Sequence, residues 1–170
     1  MYNGSGDKRP KLQISFSNLE KTIRFIAAIG VGLNVALTVI YWTKLPDRFA
    51  THFDLSGKAN GWGGKGVLIF LPIITLILYF AMTALEKYPE IYNYIGEINE
   101  ENAERQYRNS REMIIFIKTE LVCMFGYMQW VIIQGALNNS LSLSPWYTAI
   151  VLVVIFATVG YFTYKAAKLK

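Results

Sequence analysis

His52 and Asp54 stand two residues apart in the stretch THFDLSGKANGWGGK (residues 51–65), and His52 is the only histidine among 170 residues. A histidine beside a carboxylate could ligate a metal, activate a hydroxyl, or brace a loop that recognises something polar. A zinc site takes three or four His, Cys or carboxylate ligands. This stretch offers one His with Asp47 and Asp54, while Cys123 and Glu120 fall in a distant apolar run. Thr51 and Ser56 lie near His52, but no spacing specific to a hydrolase accompanies them. The expectation is therefore a non-enzymatic chain with no catalytic residue, no metal and no cofactor. The residues left for binding are His52, Phe53, Asp54, Gly57, Asn60, Gly61, Trp62 and Lys65.

If residues 49–55 are extended, Phe49, Thr51, Phe53 and Leu55 point one way and Ala50, His52 and Asp54 the other, because side chains alternate along a strand. Asn60-Gly61 is a short hairpin signal, since both residues accept the positive φ of a type I′ turn. Trp62 would anchor at a membrane interface, and Gly63 and Gly64 allow close backbone approach. The stretch thus reads as a small two-stranded cap.

The elements that must carry this cap are apolar. The chain is 53% hydrophobic and 17% charged, against roughly 25% charged in ordinary globular domains. Four runs, 23–42, 67–85, 113–136 and 146–164, have the approximately 20 apolar residues that a hydrocarbon core of about 30 Å requires. Backbone groups in lipid must be paired within the segment, so each run is a helix. The fold class is all-α integral membrane, with four transmembrane helices and a short extracytoplasmic hairpin between the first two. Residues 1–170 form a single membrane domain, of which 1–16 are expected as a mobile cytoplasmic segment. The first run is too long and too far from the start for a cleavable signal peptide.

Lysine and arginine sort by loop. Twelve lie before the first span, in the second loop and in the tail, and four lie in the first loop, with none in the third. The positive-inside rule puts both termini in the cytoplasm of a multi-pass cell-membrane protein, and the first loop outside. The basic residues follow no nucleic-acid module, so nucleic acid is not an expected partner.

Ser17 and Glu20 form a capping-box signature for the first helix, which should end near Lys44 ahead of Pro46. Asn34 in the first span calls for an interhelical hydrogen bond. Cys123 reads as a small packing residue. Lys118 and Glu120 leave two readings open: both snorkel at an interface, or Glu120 is buried with Asn34 or the neighbours of Lys118, in packing or in a proton or ligand path. The second loop reads as a short amphipathic helix from Tyr88 to Ile98, followed by a third helix starting near Asn99. Its alternating charges suit a solvated helix or a surface for a cytoplasmic regulator. The third loop need only connect.

Leu45, Pro46, His52, Phe53, Gly57, Gly61 and Lys65, with Asp54 and Trp62, resemble a signature written LP..iP.HF...G..dg.g.K, over about 40–72. It belongs to a bacterial integral-membrane domain of formerly unknown function, shared with immunity proteins against the sporulation-delaying toxin of bacilli. Ala50 stands where that family usually has a second proline. The resemblance implies an integral membrane protein linked to self-protection or signalling, and carries no catalytic position. The expected function is binding or sensing of a peptide, lipid or envelope component by the outward loop, in toxin immunity or signalling. The expected partners are the lipid bilayer, an extracellular peptide or toxin, and a cytoplasmic regulator. The alternative is a small transporter or transport-complex subunit using Asn34, Glu120 and Gln129. The oligomeric state is left open.

Overall fold

The computed structural model describes residues 9–54, 56, 58–138, 144 and 146–169. Four long helices dominate: α1 (Asn18–Tyr41), α2 (Gly66–Leu85), α3 (Ala103–Asn138) and α4 (Trp146–Lys168). Each is long and apolar enough to cross a membrane. Their outward faces carry large apolar side chains such as Phe25, Val39, Phe80, Val153 and Phe156. In water such faces would be a liability, whereas in hydrocarbon they cost nothing, and the chain is a multi-pass membrane protein. Between α1 and α2 stand two antiparallel strands, β1 (Arg48–Phe53) and β2 (Ala59–Gly64).

The predicted starts hold where local chemistry fixes them. Ser17 caps α1: its hydroxyl accepts from the Glu20 amide at 3.2 Å, and Glu20 Oε2 accepts from the Ser17 amide at 2.6 Å. The second loop departs from expectation. Only one 3₁₀ turn, Pro89–Ile91, stands where an amphipathic helix was predicted, and α3 begins at Ala103 rather than near Asn99. Pro89 interrupts the ladder, and the Asn99 and Asn102 side chains hydrogen-bond nearby backbone amides, which stabilises a turn in place of a helix. The Tyr92 hydroxyl instead caps α2, donating to the Leu85 carbonyl at 2.7 Å. Burial first, and then the nearby Glu86 carboxylate, push that phenol up to about 12, so it remains a donor.

Helix α3 is the central post, packing on α1, α2 and α4. Gly30 on α1 allows a close approach: a Cβ there would lie 2.7 Å from Val122 Cγ1 on α3. A polar ladder ties three helices together. Asn34 Nδ2 donates to Thr75 Oγ1 at 3.3 Å, as its burial in a span demands. Gln129 Nε2 donates to Thr38 Oγ1 at 2.7 Å and to the Leu68 carbonyl at 3.3 Å. The second bond follows from sequence chemistry: Pro72, four residues after Leu68, has no amide to give that carbonyl, and α3 supplies the donor.

Helix α4 is joined to α3 by a line of side chains reaching backbone. Gln106 donates to the Ala166 carbonyl, Asn109 to the Phe162 carbonyl, and Tyr147 to the Met124 carbonyl. The Lys165–Glu112 pair at 3.1 Å adds to them. Apolar packing drives little association between helices in lipid, so such bonds hold α4 in register.

Candidate functional site: a seated hairpin and a buried charge network

The hairpin sits at the bundle end shared by the end of α1, the start of α2 and the last turns of α3. Leu45 and Phe49 are buried against Leu68, Leu71, Ile132 and Ile133, which fixes the hairpin to the bundle. The register pairs Arg48 with Gly64, Phe49 with Gly63, Ala50 with Trp62, His52 with Gly61 and Phe53 with Ala59, so Thr51 and then Asn60 are left without partners. These are two compensating bulges, one on each strand.

The bulges correct two expectations. Asn60 and Gly61 lie within β2 and do not form the turn. The turn lies at Asp54–Lys58, where Asp54 Oδ1 accepts from the Ser56 hydroxyl at 2.6 Å, the Ser56 amide at 2.9 Å and the Lys58 amide at 3.0 Å. This is an Asx-type arrangement, and it outcompetes the Asn-Gly signal because one carboxylate satisfies three donors. Ala50, expected beside His52 on the outer face, is buried, since the extra residue at Thr51 breaks the period-2 alternation.

His52 is exposed, and its Nδ1 lies 2.5 Å from Asn60 Oδ1. Gly61 is required behind it: a Cβ there would lie 2.7 Å from His52 Cβ. At Gly63 a Cβ would come within 2.9 Å of Val67 Cγ2 and 3.0 Å of Thr51 Cγ2, so both glycines serve close packing. Hydrogen bonds from the Ser56 hydroxyl, and next from the Lys58 amide, hold the Asp54 carboxyl below its ordinary value of 3.8. Lys65 pairs with fully exposed Asp47 at 3.3 Å, a contact that solvent screens. His52 and Asp54 therefore have separate hydrogen-bond partners. Gly57 lies outside the described residues, as does Leu55 and most of the third loop.

A cleft of about 550 Å³ opens between the hairpin and α3, lined by Pro46, Arg48, Phe49, Ala50, Lys58, Ala59, Trp62, Gly135 and Ala136. Trp62 is 61% exposed and lies on this cleft. Two cations and two aromatic residues thus line one cavity together with the small residues Ala50, Ala59, Gly135 and Ala136. Arg48 and Lys58 were not singled out from sequence. Their type matched many other surface cations, and only the hairpin's seat on α3 brings them to one cleft.

At the opposite end, the intramembrane cations and acids form a network. Lys118 is buried and donates to the Glu86 carboxylate and, at 3.0 Å, to Thr83 Oγ1. Arg24 Nε reaches the other Glu86 oxygen at 2.9 Å. Glu20 and Arg111 form a second buried pair. The Phe16 ring lies between two guanidinium groups, 4.1 Å from Arg24 and 4.4 Å from Arg111. The snorkelling expectation for Lys118 fails because the Glu86 carboxylate, just past the end of α2, is within reach inside the bundle. Glu86 was missed, although a lone cation in a span is itself a signal to look for an acid at the end of a neighbouring one.

The segment read as a mobile start is held to this end over its described part, residues 9–16. Arg9 donates to the Glu90 and Tyr92 carbonyls at 3.0 and 2.6 Å, and Arg111 to the Ile14 and Ser15 carbonyls at 2.7 and 3.0 Å. Glu120 stands apart from both clusters: its Oε1 accepts from Thr158 Oγ1 on α4 at 2.5 Å. Asn34 and Gln129 bond within the α1–α2–α3 ladder, so of the three polar groups considered for a transport path Glu120 has surroundings separate from the other two. Among the described residues no group of three or more His, Cys, Asp or Glu side chains could hold a metal.

Residues 29–76 match the family model described as Domain of unknown function (DUF1648). The match takes in the second half of α1, the whole hairpin region and the first half of α2. The chain is also similar to an uncharacterized protein from Archaeoglobus fulgidus, 23% identical over 158 residues, covering 85% of this chain and 86% of the relative. At 85% of the chain, that likeness extends well beyond the hairpin. No solved structure matches the chain.

Proposed function

We propose that this chain is a cell-membrane protein that uses the cleft between its hairpin and α3 to bind an anionic group of a peptide, lipid or envelope component. The carrying observation is the pairing of Arg48 and Lys58 with Phe49 and Trp62 around one cavity. Cations recognise carboxylate or phosphate, and the aromatic faces take the apolar part of the same ligand. The hairpin's rigid seat on α3 keeps these groups in place without the ligand. The charge distribution, twelve Lys and Arg against four, supports an orientation with both termini cytoplasmic and the cleft outside.

The resemblance of the hairpin to a domain shared with toxin-immunity proteins supports the physiological form of the reading, protection against a membrane-active peptide or signalling of its presence. Survival under toxin challenge tests it, with cells carrying the chain compared with cells lacking it and with Trp62→Ala, Arg48→Ala and His52→Ala variants. The expected order is wild type first, His52→Ala next, then the two cleft variants. Equal survival with and without the chain removes immunity from the reading.

A further inference from the structure

An unpaired carboxylate inside a membrane span requires an account, and Glu120 is one. It lies on α3 beside a crevice of about 260 Å³ between α3 and α4, whose remaining lining includes Cys123, Met124, Ile150, Val154 and Ile155. Thr158 donates to one carboxylate oxygen, while Oε2 is buried and has no hydrogen-bond partner among the described residues. No lysine, arginine or histidine nitrogen lies within 4.0 Å of it among those residues. The cations nearby in the fold are engaged elsewhere: Lys165 with Glu112, Arg24 and Lys118 with Glu86, Arg111 with Glu20. Thr158 on α4 donates to the carboxylate, and Cys123 on α3 is the other titratable side chain lining the crevice among the described residues.

We propose that this crevice binds a lipophilic organic cation, with Glu120 as its counter-ion and a proton in its place when the crevice is empty. A bare carboxylate is expensive in hydrocarbon, so its charge must be neutralised by a proton or by a cation brought from outside. The described residues supply no cation, and an almost wholly apolar wall excludes a hydrated one. Calcium would need six to eight oxygen ligands and magnesium about six, far more than one carboxylate and the neighbouring hydroxyls provide. What fits is a single positive charge on an apolar body. On binding, the proton leaves the carboxyl for water and the cation takes its place, so charge balances. This site shares no lining residue with the hairpin cleft and does not depend on its function.

Carbodiimide labelling of the purified full-length protein tests the proposal, because dicyclohexylcarbodiimide reacts with protonated carboxyl groups in apolar surroundings. Peptide mass spectrometry is expected to find the adduct on Glu120 in the wild-type chain, so no variant has to fold for the result to count. Benzyltrimethylammonium is expected to slow that labelling by about tenfold at saturation, equivalent to about 1.4 kcal/mol of preference. Neopentylbenzene, the neutral compound of the same shape, is expected to leave it unchanged. Absence of the adduct from Glu120, labelling indifferent to the cation, or equal protection by both compounds would each overturn the proposal.

Discussion

Glu20 and Arg111, 91 positions apart, form a two-point ion pair between α1 and α3, with Nε to Oε1 at 2.7 Å and Nη2 to Oε2 at 3.1 Å. Both side chains are almost fully buried, at 1% and 4% exposed. Glu20 also closes the capping box, so one carboxylate starts a helix and fastens it to the central post. Removing either partner leaves a buried charge uncompensated. Arg111→Met is expected to lower stability by about 3–5 kcal/mol, read by denaturant titration in detergent. It also releases the carbonyls of Ile14 and Ser15, so protease cleavage ahead of α1 should accelerate in the same variant. A loss below about 1 kcal/mol, the range of exposed pairs, would show that the pair is solvated.

The Lys118–Glu86 pair differs because Glu86 has a second cation in Arg24. Lys118→Met leaves that pair intact, whereas Glu86→Gln strands Lys118 in the bundle. The expected order of stability is wild type, then Lys118→Met, then Glu86→Gln. The double variant Lys118→Met with Glu86→Gln should recover part of the second loss, with a coupling of about 0.5–3 kcal/mol in the cycle. Additive losses would mean that the two side chains do not interact.

Gly30 and Gly32 make a controlled pair on one helix. A Cβ at Gly30 meets Val122 Cγ1 at 2.7 Å, while one at Gly32 meets nothing within 4 Å. Valine is stiff at χ1, so Val122 cannot simply turn away. Gly30→Ala is expected to cost about 1–3 kcal/mol by pushing α1 from α3. Gly32→Ala should be neutral or stabilising by up to about 1 kcal/mol, since it removes backbone freedom from the unfolded chain. Thermal unfolding of the two variants side by side checks the contrast, and equal behaviour would contradict the α1–α3 contact.

The hairpin turn should loosen in acid. Asp54 is held below its ordinary value of 3.8 by the Ser56 and Lys58 donors. Its contribution is therefore fully present above about pH 4 and is lost as pH falls through the lowered value. Hydrogen exchange at the Ser56 and Lys58 amides, corrected for intrinsic rates, should accelerate over that acid range. In Asp54→Ala these amides should be unprotected at every pH, with the helices unchanged. Asp54→Asn keeps an acceptor and should retain partial protection without the acid transition.

The spans, the Ser17 start and the need of Asn34 for a partner were legible in the sequence because each is a local demand. An apolar run of sufficient length has to pair its own backbone, a Ser-x-x-Glu at a helix start satisfies its own amides, and a span amide cannot go unbonded. The hairpin was legible as a hairpin, and its turn was not. Asn60-Gly61 has the right local chemistry, but Asp54 has three donors within four residues, and the bulges at Thr51 and Asn60 depend on how Phe49 and Ala50 pack.

The sequence by itself determined that four apolar helices form, where α1 begins and that the helix surfaces suit lipid. Those properties follow from hydrogen bonding and hydropathy over a few turns of chain. Only the tertiary structure decided which charges meet: that Glu86 takes Lys118 and Arg24, that Glu20 takes Arg111, and that Glu120 has no cationic partner among the described residues. Partners 32 to 91 residues apart are chosen by which helix faces α3 turns toward its neighbours, and a side chain's type carries no record of the helix it will face.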